Sequence, residues 1–240
     1  MKVLVFLPTY NEGDNIGELI DYIQSLDFNK EILIVDDNST DKTIETVKNK
    51  QKKFKNITLI IRNGIKGRGL AGIDAFRYFT TSDSDVLIEM DADFSHHPKY
   101  IINLLKYIPY YDVILGSRLI KNGRETGRSI FRKITTLFAN ALIRIVFFTR
   151  IKDCTSGFRA IKKSVVLNFN LDKFISKDYI IVEESFFAFL QSNARIKEIP
   201  YIFHDREEGL SKLNMLKMIL TFLGVFRIRL RGKKIIKKRK

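Results

Sequence analysis

The chain has 240 residues, 45% of them hydrophobic and 29% charged, which excludes disorder as its default state and allows one large domain or two small ones. Its 42 lysines and arginines against 27 aspartates and glutamates leave a net charge of +15, an attraction to polyanions that does not choose among nucleic acid, anionic lipid and phosphorylated ligands. The single cysteine, Cys154, excludes an intramolecular disulfide framework and a cysteine-rich zinc site, and is what a cytosolic, reducing address predicts.

In chain order, the first apolar run ends at Pro8 and passes into Asn11, Glu12 and Asp14 with no small-residue cleavage site, so it reads as a buried strand rather than a signal peptide. Apolar runs of strand length recur at 3–7, 31–35, 57–61, 86–90 and 113–115. Between the first two, Ile16, Leu19, Ile20, Ile23 and Leu26 fall at helical spacing; residues 41–53 and 70–79 fill the next two gaps in the same way. This βαβαβαβ series predicts an α/β fold with a mostly parallel sheet flanked by helices. In such a sheet ligands bind outside the carboxyl ends of the strands, so the residues just after each strand matter most.

Beyond Gly116 the regularity fails. A polar stretch at 121–128 leads into an apolar segment at 134–148 and a loop around 153–159, which are expected to complete and cover a site. The segments 134–148 and 213–226 are interrupted by Arg144 and Lys217 and fall short of the roughly 20 apolar residues needed to cross a bilayer. Segment 134–148 fits a core helix and an interfacial one equally. Segment 213–226 adjoins 227–240, which holds nine basic residues and no acidic one, and reads as an amphipathic membrane-surface helix with a basic tail. The expected division is therefore a catalytic domain at 1–212 and a membrane-surface segment at 213–240.

Three strand ends carry polar clusters. Pro8-Thr9-Tyr10-Asn11-Glu12 follows the first strand and Asp36-Asp37-Asn38-Ser39-Thr40-Asp41 the second. Such clusters can hydrogen-bond a nucleoside, with the Tyr10 ring as a stacking face, although the same residue types also serve turns and helix caps. The fourth strand delivers Asp91-Ala92-Asp93-Phe94-Ser95. Two carboxylates one residue apart repel unless a cation sits between them, and a hard divalent ion shared with ligand phosphates is the natural remedy. His96 and His97 follow, one expected to support that site and the other to pack or face solvent. Gly67-Arg68-Gly69-Leu70-Ala71-Gly72 fits a dinucleotide-binding fingerprint, but it sits in the third connection, four residues separate strand from glycines, and Asp91 brings Asp93 with it. Close helix approach is the preferred reading of these glycines. Arg118 after the fifth strand, and Arg206 and Lys212 after a late apolar run, are candidate phosphate ligands.

Taken together, Pro-Thr-Tyr-Asn-Glu at 8–12, Asp-Asp-Asn-Ser-Thr-Asp at 36–41, Asp-Ala-Asp-Phe-Ser-His-His-Pro at 91–98, Gly-Ser-Arg at 116–118, Thr-Ser-Gly-Phe-Arg-Ala at 155–160 and Ser-Lys-Leu at 211–213 resemble family 2 glycosyltransferases of GT-A fold, Rossmann-like in architecture. Within these the chain most resembles the polyprenyl (dolichyl) phosphate mannosyltransferase group. The resemblance implies inverting transfer of a sugar, mannose from GDP-mannose in the first instance, from a nucleotide diphosphate to a polyprenyl phosphate by a peripheral enzyme on the cytoplasmic face of a membrane. It implies that Pro8, Tyr10, Glu12, Val35 and Asp37 hold the nucleoside and that Ala92 lines the nucleotide. Asp91, Asp93 and Ser95 would hold Mg²⁺ or Mn²⁺, while Arg118, Arg206 and Lys212 would meet donor phosphates or sugar. Arg132, with Thr136 four residues on, would bind the lipid phosphate, and Asp93, Arg118 and Arg132 would be the catalytic set. Ile181 and Val182 stand where the family often has an aromatic residue and Gln, which keeps UDP-glucose and UDP-N-acetylglucosamine open as donors; a non-lipid acceptor is a further enzyme alternative. An anionic membrane surface and a separate membrane-anchoring subunit are the implied partners. Nucleic acid is the remote alternative, for want of a recognisable binding motif.

Overall fold

In the computed structural model, the described residues are 1–178, 180–205 and 215–237, without the side chains of 215–222 and 233. The first half follows the expected alternation: β1 (Val3–Thr9), α1 (Ile16–Ser25), β2 (Lys30–Asp36), α2 (Thr43–Lys53), β3 (Ile57–Ile61), α3 (Arg68–Thr81) and β4 (Val86–Glu89). These strands are apolar because both faces are covered: Val3, Val5 and Leu7 of β1 face one layer of helices, and Leu4 and Phe6 face the other. Helix α1 buries Ile16, Leu19, Ile20 and Ile23, the stripe read from the sequence.

The second half contributes α4 (Ile101–Leu105), β5 (Val113–Ser117), β6 (Arg124–Thr126), α5 (Ile130–Phe147), β7 (Arg159–Lys162), α6 (Lys163–Val166), α7 (Ile181–Gln191), β8 (Ile196–Pro200), β9 (Ile202–His204) and α8 (Met215–Arg231). The seven-stranded sheet runs β3-β2-β1-β4-β7-β5-β8, and β6 pairs with β9 separately. Strand β7 is antiparallel to both β4 and β5, so the fifth strand does not continue the parallel series beside the fourth. Strand β7 was not foreseen: Arg159-Ala160-Ile161-Lys162 is too short to announce itself, and it forms because the gap between β4 and β5 leaves unpaired edges on both sides. The late apolar run before Arg206 is likewise divided between β8 and β9 at Tyr201.

The C-terminal segment is not a separate appendage. Val225, Ile228 and Ile235 are buried in the main core with Phe186 and Phe187 of α7, and Ile235 O accepts the N–H of Asn170. This joins at least part of 213–240 to the body of the domain, because one face of α8 has apolar residues to bury. Residues 238–240 lie outside the described set.

Candidate active site

At the carboxyl ends of β1, β2 and β4 lies a cleft of about 620 Å³, closed on one side by the N-terminus of α3. Its lining includes Pro8, Tyr10, Glu12, Asp37, Asp91 and Ala92, six of the residues singled out from the sequence. Val35 does not join them: it is fully buried in the core beneath, paired in register with Pro8.

The first two strand ends divide turn chemistry from site chemistry. Asp36 is fully buried and accepts from Thr9 Oγ1 at 2.7 Å, Ser39 N at 2.7 Å and Ser39 Oγ at 2.7 Å, so it builds the turn. Asp37 lines the cleft, where it accepts the Gly67 N–H at 2.7 Å and pairs with Arg62. Glu12 is anchored through its own N–H to Thr43 Oγ1 at 2.9 Å. The Tyr10 ring is half exposed, with Lys66 Nζ 4.0 Å from its centroid. An aromatic face bordered by cations and carboxylates is suited to a nucleoside carrying phosphates.

At the end of β4, Asp91 Oδ1 accepts from Arg68 Nη2 at 3.0 Å and Nε at 3.2 Å, while Asp91 N–H donates to His96 Nδ1 at 3.0 Å. His96 is buried and stacked on Phe158; desolvation lowers its pKa, keeping it neutral and able to accept that N–H. His97 packs edge-on against Tyr22 and caps Lys99 N–H. Asp93 Oδ1 accepts from Ser95 N at 3.0 Å and Ser95 Oγ at 2.6 Å. Phe94 between them has φ +61°, a left-handed conformation that bulky residues avoid and that concentrates at functional turns.

Asp91 and Asp93 are partly exposed carboxylates, the hard oxygen donors that Mg²⁺ and Mn²⁺ prefer. Among the described residues no cluster of three metal-ligating side chains forms, so the rest of a coordination sphere would come from phosphate oxygens and water. The donor set fits that use. Ser95 gives its hydroxyl hydrogen to Asp93, which leaves the lone pairs of its Oγ beside the same carboxylate.

A second cluster gathers the other arginines. Arg118 is buried; its N–H and Nε donate to Asp153 Oδ2 at 2.8 Å each, and Nη2 donates to Asp153 Oδ1 at 2.6 Å. Its Nη1 lies 3.3 Å from Glu125, which also takes Arg128 at 2.7 Å. Arg128 in turn donates to Thr136 Oγ1 at 2.8 Å, and Arg132 Nη1 donates to Asp205 Oδ2 at 2.5 Å. Arg118 is therefore turned to carboxylates rather than into the cleft, an arrangement its position after a strand could not reveal. Arg206 and Lys212 lie outside the described residues.

Arg68, Lys66, Lys177 and Asp178 also line the cleft and were missed as site residues. The Gly-Arg-Gly stretch was the available signal for Arg68. Nothing in the local sequence marks 177–178, which is held by tertiary contacts: the Glu184 carboxylate accepts the N–H groups of Ile175 and Ser176 at 2.9–3.0 Å. A Cβ on Gly69 would come within 2.6–2.7 Å of the backbone of 176–178, so this glycine serves close approach of the loop.

The family model for glycosyl transferase family 2 matches residues 4–168, more than half of the chain. The chain belongs to glycosyl transferase family 2. Among its relatives, the undecaprenyl-phosphate mannosyltransferase of Micrococcus luteus is 30% identical over 214 residues, 89% of this chain and 88% of that protein. The dolichol-phosphate mannosyltransferase of Pyrococcus furiosus is 35% identical over 218 residues, but the match covers only 59% of that longer protein. Glucosyl-3-phosphoglycerate synthase of Mycobacterium tuberculosis, solved with Mn²⁺, UDP-glucose and glycerol 3-phosphate, shares the fold at a TM-score of 0.68 and 16% identity, covering 99% of this chain and 81% of its own. The family 2 chain is thus a glycosyltransferase of GT-A fold.

Proposed function

We propose that this glycosyltransferase moves mannose from GDP-mannose to a polyprenyl phosphate, working peripherally at the cytoplasmic face of a membrane. Helix α5 carries this reading. Its buried face begins with the polar Thr136 and Asn140 before Ile143 and Phe147, whereas Ile130, Phe131, Ile134, Leu137, Phe138 and Ile145 stand outward at 55–76% exposure. A soluble surface helix has the opposite arrangement. An outward apolar face of this extent beside Arg128 and Arg132 suits a lipid whose chain lies in the bilayer and whose phosphate must reach protein cations. No described helix is long and apolar enough to cross a membrane. The names of the two mannosyltransferase relatives support the same acceptor class and sugar.

A phosphate monoester is largely dianionic near neutral pH and needs no general base to act as a nucleophile. One of its oxygens attacks the anomeric carbon as the bond from that carbon to the donor diphosphate breaks, inverting the configuration and releasing the nucleoside diphosphate. A divalent cation on Asp91 and Asp93 would supply Lewis-acid neutralisation of the leaving diphosphate. The side chains do the positioning. Tyr10, Glu12 and Asp37 hold the nucleoside, Arg132 holds the acceptor phosphate, and Thr136 fixes Arg128 beside it. Holding two anions in line against their repulsion is the main electrostatic task.

The test is a donor panel of radiolabelled GDP-mannose, UDP-glucose and UDP-N-acetylglucosamine with extracted polyprenyl phosphate. Label from GDP-mannose should enter the organic phase. Preference for a UDP-sugar would overturn the donor assignment, and no lipid-linked label from any donor would overturn the acceptor.

A further inference from the structure

Arg68 occupies an unusual place: the first residue of α3, with its side chain only 11% exposed and its guanidinium between the two carboxylates at the end of β4. Nε and Nη2 reach Asp91 Oδ1, and Nη1 lies 3.4 Å from Glu89 Oε1. Glu89 is itself buried, and across the β4–β7 pair its other oxygen lies 3.9 Å from the buried guanidinium of Arg159. The order Arg159, Glu89, Arg68, Asp91 alternates in sign from the sheet interior to the cleft.

Space has been left for this guanidinium. A Cβ on Gly157 would meet Arg68 Nη2 at 3.0 Å and His96 Cε1 at 3.5 Å, so a side chain there would press on the arginine. Gly157 thus gives the Thr-Ser-Gly-Phe-Arg-Ala motif a physical role at the cleft, beside Arg159 at its inner end.

Building on the donor-and-cation reading of this cleft, we propose that Arg68 is a resident counter-ion of Asp91 that a divalent cation displaces, and that the displaced guanidinium then binds the donor diphosphate. Asp91 Oδ1 cannot serve the arginine and a metal ion with full strength at once, because each draws on the same negative charge. Glu89 provides a second acceptor that keeps the arginine at the cleft floor during the exchange. A planar fork of donors is also the group best matched to phosphate oxygens. The exchange keeps Asp91 oriented before substrate arrives and couples metal binding to diphosphate binding.

Two equilibrium measurements test this without turnover. Free Mn²⁺ is followed by electron paramagnetic resonance while it is titrated into wild type, Arg68→Met and Arg68→Lys, with folding checked by circular dichroism. Without nucleotide, Arg68→Met should bind Mn²⁺ on the order of tenfold more tightly than wild type, the loss of one competing ion pair. Arg68→Lys should stay close to wild type because it keeps a competing cation. With Mn²⁺ saturating, inorganic pyrophosphate should bind Arg68→Met on the order of tenfold more weakly. Equal or weaker Mn²⁺ binding by Arg68→Met, or unchanged pyrophosphate affinity, would overturn the proposal. If Arg68→Met is unfolded, tighter Mn²⁺ binding by Gly157→Ala, whose Cβ presses on the guanidinium, supports the displacement and unchanged binding overturns it. Failure here with sugar transfer by wild type intact removes only the role of Arg68; absence of transfer with every donor removes the parent reading.

Discussion

The outward face of α5 can be challenged directly by Phe131→Ser combined with Phe138→Ser. These rings are 67% and 58% exposed, so their replacement removes apolar surface without opening a cavity. With about 200 Å² per aromatic side chain and about 25 cal/mol per Å², full immersion of both exposed portions is worth roughly 6 kcal/mol. Interfacial insertion realises only part of that; about half, or ~3 kcal/mol, corresponds to a loss of roughly 100-fold in partitioning onto vesicles. Sedimentation with vesicles containing anionic lipid measures the loss, and transfer to polyprenyl phosphate in the same vesicles should fall with it. The melting transition should hardly move, since exposed positions usually contribute within about 0.5 kcal/mol. A double variant that binds vesicles within about threefold of wild type would refute the interfacial role, because so small a change is under ~1 kcal/mol.

The remaining predictions concern charge. Arg132→Ala should raise the KM for lipid phosphate more than that for the nucleotide sugar in steady-state assays; equal effects would argue against an acceptor contact. Asp153→Ala should lower stability to urea by about 3–5 kcal/mol, because it leaves the buried Arg118 without its main partner. Burial alone would raise the Asp153 pKa, but Arg118 outweighs it and holds the carboxyl low, so this stabilising contribution persists to acidic pH. Glu183 is the reverse case. Desolvation pushes its pKa up from 4.5 to about 7, and its Oε2 has no hydrogen-bond partner among the described residues. Its folded-state pKa lies above the unfolded one, so its contribution is fully present below pH 4.5 and lost as pH rises toward 7. That loss is of order 3 kcal/mol, and denaturant titrations of Glu183→Gln should lack it. A wild-type slope retained in the variant would show another group responsible.

The first half of the fold was legible because each of its elements announces itself locally: apolar strand runs, a 3.6-residue stripe on α1, and polar residues where chain reversals fall. An apolar run of strand length likewise located β3 at Ile57–Ile61. Strand β7 escaped because its short run is paired by distant edges rather than specified by its own pattern. The cleft was legible through Asp37 and Asp91, whose positions after strands fix their direction. Arg118 also follows a strand, but its orientation depends on Asp153, 35 residues away, and no spacing rule reaches that far. Lys177 and Asp178 were invisible for a related reason: Glu184 and the side-chain-free surface of Gly69 bring their loop to the cleft.

The charge of the chain has an uneven meaning. Nine of its 42 basic residues lie in 227–240, leaving 33 against all 27 acidic ones in the first 226 residues. Near the cleft and α5 four arginines of this surplus are each held by a carboxylate: Arg62 by Asp37, Arg68 by Asp91, Arg118 by Asp153, and Arg132 by Asp205. A shielded cation requires a partner to offset its desolvation, so an incoming phosphate exchanges with a carboxylate instead of filling an empty charge site. The net gain is therefore smaller than a guanidinium–phosphate contact alone would provide. In the proposed transfer, which discharges a nucleoside diphosphate and a lipid product in every cycle, that reduction favours release. The carboxylates also hold the arginines in direction between cycles, so the partners that moderate affinity preserve the geometry on which in-line attack depends.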